Sequence, residues 1–128
     1  MPELPDLTVY VEHINQRLKG ATLTDIHLAS PFLLRTVSPG IPELRGLAFK
    51  SCHRMAKQLV FELSDDFYFV IHLMISGRLQ WSAAPKKAPK RNGLAAFEFS
   101  QGTLVLTEQS KKKRASLRIV AKKTRLLS

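Results

Sequence analysis

Apolar residues Leu7, Val11, Ile14 and Leu18 recur at three- and four-residue spacing behind Pro5 and Asp6, and the series stops at Lys19-Gly20. That period marks one face of an α-helix, with Asp6 as the expected N-cap, a basic last turn and a glycine stop. The pattern predicts a helix over 6–19. From residue 22 the period shortens to alternation, and strands are expected over 22–29, 47–54, 58–64, 67–73, 78–82, 94–99, 103–107 and 116–121. Asp65-Asp66 and Gln101-Gly102 are the expected hairpin turns. Phe32-Leu33-Leu34 is expected to be a short buried segment, and 37–42, with two prolines and a glycine, a loop. Residues 85–93, Pro-Lys-Lys-Ala-Pro-Lys-Arg-Asn-Gly, have the composition of a solvated basic linker. One helix with seven or more strands predicts a mainly β chain of α+β type. The expected architecture is a two-layer antiparallel β-sandwich over 22–121 flanked by the helix.

Composition bounds this picture. At 128 residues and 45% hydrophobic content the chain is expected to form a single domain, 1–128, with a modest core. No apolar run approaches the roughly 20 residues that cross a bilayer, and the acidic first residues are unlike a secretory signal. A soluble, intracellular protein with no membrane partner is expected. The single cysteine, Cys52, excludes an internal disulfide and is expected to be a small buried apolar residue. No Cys/His cluster has the spacing of a structural zinc site, so no metal or other cofactor is expected in this chain.

Charge changes the picture most. The net charge is +10, and it is unevenly placed. Acidic and basic residues nearly balance up to Asp66. From Pro85 onward Lys86, Lys87, Lys90, Arg91, Lys111, Lys112, Lys113, Arg114, Arg118, Lys122, Lys123 and Arg125 face only Glu98 and Glu108. Such an excess favours a polyanion, nucleic acid before membrane, with the contact surface toward the second half. The competing reading is a cationic face that serves solubility alone.

Three places carry candidate chemistry. Once Met1 is removed, Pro2 presents a secondary amine beside the carboxylate of Glu3. An α-amino group titrates near neutrality, so an uncharged fraction can attack an electrophilic carbon while the neighbouring carboxyl supplies a proton. If Met1 stays, the Pro2 nitrogen is a tertiary amide and cannot attack. The plainer reading is a helix start, where proline and glutamate are both favourable. Lys57 falls in the turn between two strands, either as a solvated charge or as a mobile contact to phosphate. His72 ends a strand, and Met74 and Ile75 then fall at a loop tip before Ser76-Gly77. They either pack inward or are exposed for a functional reason. His13, on the helix, is expected to be a surface residue.

Met1-Pro2-Glu3-Leu4-Pro5-Asp6 resembles the start of the formamidopyrimidine-DNA glycosylase family, which opens Pro-Glu-Leu-Pro-Glu after methionine removal. Met55-Ala56-Lys57-Gln58-Leu59 resembles the family segment carrying a catalytic lysine. Ile71-His72-Leu73-Met74-Ile75-Ser76-Gly77-Arg78-Leu79 resembles its His-Leu-Gly-Met-Ser-Gly segment. The three motifs lie in the family's order and cover its N-terminal domain. The helix-two-turn-helix region and zinc finger that would follow are absent from the 128 residues, and with them the family's metal.

The resemblance implies base-excision DNA repair in a bacterial setting, cytoplasmic and nucleoid-associated, on damaged double-stranded DNA. No obligate protein partner is evident. It implies a DNA glycosylase and abasic-site lyase for oxidised bases. Pro2 attacks C1′, Glu3 protonates the sugar ring oxygen, and Lys57 assists at the base or its flanking phosphate. His72 holds the backbone, and the family's wedge methionine corresponds to Ile75, with Met74 standing where the family has glycine. Ser110-Lys111-Lys112-Lys113-Arg114 stands where many members have Asp-Pro-Arg-Arg-Phe-Gly. Arg114 is the nearest counterpart of the arginine that fills the gap opposite the lesion. Lys111, Lys112 and Lys113 are either a solvated edge or phosphate contacts. The rival function is a non-catalytic basic nucleic-acid-binding module on the same sandwich.

Overall fold

The computed structural model describes residues 4–74, 76–109 and 114–121, with only the backbone described for 4–6. Helix α1 (Leu4–Leu18) precedes β1 (Leu23–Leu28), a one-turn helix α2 (Ile41–Leu44), β2 (Phe49–Met55), β3 (Gln58–Leu63) and β4 (Phe67–His72). There follow β5 (Gly77–Ser82), β6 (Gly93–Phe99), β7 (Gly102–Glu108) and β8 (Ser116–Ala121). The strands form two four-stranded antiparallel sheets, ordered β1-β6-β7-β5 and β2-β3-β4-β8. The fold is the expected β-sandwich with one long helix.

Alternation explains which side chains meet. Leu59, Phe61, Leu63, Phe69, Ile71, Leu117 and Ile119 of the second sheet face Leu79, Ala95, Phe97, Leu104 and Leu106 of the first in one buried cluster. A run of phenylalanines ties the layers together. Phe61 stacks on its cross-strand partner Phe69 at 4.3 Å between centroids, and Phe69 stacks across the gap on Phe97 at 5.1 Å. Phe49 makes edge contacts with Phe61 on its own sheet and with Phe99 on the other. These rings remove large apolar areas from water and also gain from their mutual geometry.

Both open sides of the sandwich are closed. On one side α1 buries Leu7, Ile14 and Leu18. Asn15 supplies the missing neighbour of edge strand β2, since its side chain donates to the Cys52 carbonyl and accepts from the Cys52 N–H, both at 2.8 Å. An edge strand satisfied in this way is shielded from pairing with other chains. Arg17 lies over the ring of Trp81 on β5, the edge of the other sheet, 5.8 Å from its centroid. On the other side residues 29–36 cross between sheets. The Ala29 N–H donates to the Leu94 carbonyl at 2.8 Å, and Arg35 and Leu33 bond Leu117 of β8 at 2.9 Å.

Several expectations need correction. Asp6 lies inside α1, not at its N-cap, because Pro5 is tolerated in a first turn whose N–H groups have no intrahelical partner. The stop is as expected, with Gly20 at φ +78°. Of Phe32-Leu33-Leu34 only Leu33 is fully buried, while Phe32 is 81% exposed, because the crossing segment turns one side chain inward and its neighbour out. The 37–42 loop contains the first two residues of α2, Pro42 being acceptable in its first turn. The 85–93 stretch is mostly exposed, as its composition predicts. It is the connection from β5 to β6 past β7, and Lys86 shares a groove with Gln80, Trp81, Ser82 and Val105.

Phe69 touches both sheets, so F69A should lower stability by about 3–5 kcal/mol. Urea denaturation followed by Trp81 fluorescence measures it, and a loss below about 1 kcal/mol would show that the stack is not central.

Candidate nucleic-acid interface

The strand registers place the candidate residues at one end of the sandwich. Met55 pairs with Gln58 across a two-residue turn, Ala56-Lys57, which puts Lys57 on its exposed tip. Ala56 takes φ 55°, as the first central residue of a tight hairpin requires. Gln58 pairs with His72, and His72 pairs with Ser116. The β4–β5 connection carrying Met74 therefore stands between the Lys57 turn and the start of β8. Across the sandwich Gly77 pairs with Glu108, the last residue of β7. The N-terminal end of α1 points the same way. Asn15 is fixed at Cys52, Tyr10 lies against Leu79, and at 1.5 Å per residue Leu4 stands about 9 Å further along the helix than Tyr10.

The loop that holds Met74 is tight for a stated reason. The Gly77 N–H donates to the Leu73 carbonyl at 2.9 Å, and a Cβ on Gly77 would run into that carbonyl. Met74 is half-buried and takes φ 59°, a left-handed conformation that glycine adopts without strain. This explains physically why a glycine suits that position. Of the two orientations open from the sequence, the structure gives neither complete burial nor full exposure for Met74, and Ile75 lies outside the described residues.

Glu108 was not singled out in the sequence, yet it anchors the backbone of Arg114 and Ala115 just before β8. It is 1% exposed, and its Oε1 accepts from the backbone N–H of Arg114 at 2.9 Å and of Ala115 at 3.2 Å. The only sequence signal is an acid directly before a basic run. Arg114 is exposed beside this anchor. Lys111, Lys112 and Lys113 lie outside the described residues, as do Pro2 and Glu3.

Electrostatics distinguish this end of the molecule. His72 is held below the usual histidine range, first by partial burial and then by the positive charges of Lys57 and Arg118. No carboxylate is paired with Lys57, Arg118 or the His72 imidazole among the described residues, whereas ion pairs elsewhere join His27, Asp25, Arg45, Glu98, Lys50 and Glu62. Arg118 reaches the group from the second half of the chain, whereas Lys57 comes from the balanced first half. Lys86 and Lys87 do not join them. They border a separate groove of about 530 Å³ with His27 and Glu98 on the first sheet. Cys52 is buried, and burial pushes its thiol up to about 12, which leaves it unreactive. His13 is exposed, as expected. Among the described residues no three His, Cys, Asp or Glu side chains gather as a metal site, and no helix is long and apolar enough to cross a membrane.

A family model for the formamidopyrimidine-DNA glycosylase N-terminal domain matches residues 1–116. The chain belongs to this family. A formamidopyrimidine-DNA glycosylase of Lactococcus lactis subsp. cremoris is 27% identical over 112 residues, which are 87% of this chain and 41% of the relative. That of Desulforamulus reducens is 35% identical over 82 residues, 62% of this chain and 30% of the relative. The chain thus spans less than half the length of these relatives. Among solved structures, Lactococcus lactis Fpg in complex with a Fapy-dG-containing DNA superposes over 98% of this chain and 46% of its own, with TM-score 0.82 and 23% identity. MutM in complex with carbocyclic 8-oxo-G-containing DNA gives 0.83 at 24% identity, over 98% and 47%. Both share the sandwich described above.

Two measurements check this geometry. Ala56→Gly should raise stability by about 0.5–1 kcal/mol in thermal or urea unfolding, because it relieves a left-handed alanine whose exposed side chain packs on little. In NMR titration His72 should show a midpoint below 6.5, and Arg118→Gln or Lys57→Gln should move it upward. The folded state holds this proton less tightly than the unfolded chain. His72 therefore contributes nothing above the unfolded pKa and costs stability as pH falls from there toward the folded midpoint.

Proposed function

We propose that this chain is the catalytic, N-terminal part of a base-excision DNA glycosylase with abasic-site lyase activity, acting on oxidised bases in double-stranded DNA. The observation that carries the proposal is the convergence of the start of α1, the Lys57 turn, His72, the Met74 loop and the Glu108-anchored Arg114 at one end of the sandwich. The sequence separates these elements by more than a hundred residues. An unpaired cationic group at the mouth of an amine-bearing helix suits an electrophilic sugar flanked by phosphates.

The chemistry follows from the residue types. With Met1 removed, the Pro2 nitrogen forms a bond to C1′ of the damaged nucleoside as the base leaves with the electrons of the glycosidic bond. Glu3 gives its proton to the ring oxygen, the sugar opens, and an iminium links Pro2 to C1′. The iminium acidifies the C–H at C2′. Loss of that proton and departure of the 3′ phosphate then cleave the strand. Lys57 and His72 hold the phosphate beside the lesion, Met74 and Ile75 fill the stack where the nucleotide is turned out, and Arg114 stands toward the opposite strand. Lys111, Lys112 and Lys113 add backbone contacts. A cytoplasmic, nucleoid-associated location goes with this role.

Incubation with an abasic-site duplex and a borohydride reductant, followed by intact mass and peptide mapping, tests the proposal. A reduced adduct on Pro2 is the expected result, and Glu3→Gln should slow base release by about 100-fold or more. A free Pro2 amine with no adduct would remove the lyase, and salt-dependent binding that ignores damage would then favour a non-catalytic module.

A further inference from the structure

The outer face of the second sheet carries a cation that the sequence counts only as one charge in the basic second half. Leu117 and Ile119 point into the core at 0% and 1% exposure, so Arg118 between them points outward, and it is exposed. Arg118 pairs with Val70 while His72 pairs with Ser116, two positions away on the same face. Such diagonal neighbours stand roughly 7–8 Å apart. Arg118 and His72 are close enough for the first to repel the charged form of the second.

Among the described residues no carboxylate is paired with Arg118. The face beside it is an apolar groove of about 100 Å³ lined by Met55, Gln58, Val60, Tyr68, Val70 and Val120. The acid on that part of the sheet, Glu62, faces Lys50 at 3.9 Å and Ser51 at 3.4 Å at the other end of β3. Lys57 and Arg118 both act on His72 with no carboxylate beside them among the described residues, so an anion bound there would meet two permanent charges and favour the protonated imidazole. A guanidinium is the group whose fork matches a phosphate.

We propose that Arg118 is a further phosphate-binding residue, so that the DNA backbone held at Lys57 and His72 continues over the outer face of β8. This rests on the DNA-binding reading above and extends its footprint beyond the lesion toward a neighbouring phosphate. It assigns β8 a role in affinity, not in the chemical step. Because the contact is to backbone, its loss weakens damaged and undamaged duplexes alike.

The test is fluorescence anisotropy with a labelled duplex carrying a tetrahydrofuran abasic mimic, and with its undamaged counterpart, between about 50 and 200 mM salt. Wild type, Arg118→Gln, Arg118→Lys, Lys57→Gln and the control Lys19→Gln, at the opposite end of α1, are compared, each with a thermal melt. Arg118→Gln should weaken both duplexes about 3–10-fold and make the salt slope shallower by about 0.9, whereas Lys19→Gln changes neither. Arg118→Lys should keep the slope and recover part of the affinity. If Lys57→Gln lowers the slope and Arg118→Gln does not, the interface stands and Arg118 has no part in it. If Lys19→Gln matches Arg118→Gln, the effect is one of net charge and the assignment to β8 falls. Absence of duplex binding by the wild-type chain overturns both this inference and the DNA-binding reading.

Discussion

The contact between Phe69 and Phe97, with Phe61 behind it, is the constraint on which the other arrangements depend. It sets the spacing and relative register of two sheets whose hydrogen bonds do not otherwise connect them through the middle of the core. Once those rings are seated, Leu59, Ile71 and Leu117 on one layer and Ala95 and Leu106 on the other fall into contact, and the strand ends align. The functional end of the molecule is a consequence of that alignment. It is built from turns and strand ends, but their positions come from the core.

The helix is held by a different device. Burial of Leu7, Ile14 and Leu18 fixes which face of α1 is turned inward, yet apolar contact is tolerant of sliding along an axis. The paired hydrogen bonds of Asn15 to Cys52 are not. A rigid helix docked by directional bonds is the support that the amine proposed at the start of the chain would need in order to keep a fixed distance from the proposed phosphate contacts. The same bonds close the exposed edge of β2, so one side chain both protects the sheet and fixes the helix along its axis.

The cationic end is assembled against its own electrostatics. Partial burial, and then the charges of Lys57 and Arg118, depress the protonation of His72, and the two permanent charges have no paired carboxylate among the described residues. Perturbed titration of this kind clusters at functional sites, where a ligand can supply the missing charge. Glu108 acts in the opposite sense. Its buried carboxylate is spent on backbone N–H groups of Arg114 and Ala115, so it anchors the basic segment without neutralising a side-chain cation through those two bonds.

Much of this was legible in the chain itself. The helical period from Leu7 to Leu18, the alternation that places Phe61, Phe69 and Phe97 inward, and the turns at Asp65-Asp66 and Gln101-Gly102 are local properties, and they determined the element types and the sandwich class. The motifs around Pro2, Lys57 and His72 pointed to the family for the same reason, since each is a short contiguous string. What depends on non-local pairing was not legible. That Phe32 faces water beside a buried Leu33, that 85–93 connects β5 to β6 past β7, that Met74 adopts a left-handed turn, and that Arg118 stands beside His72 all follow from which strands become neighbours. A local pattern states which face of a strand is apolar. Only the packed core decides what lies on the other face and which distant charge meets it there.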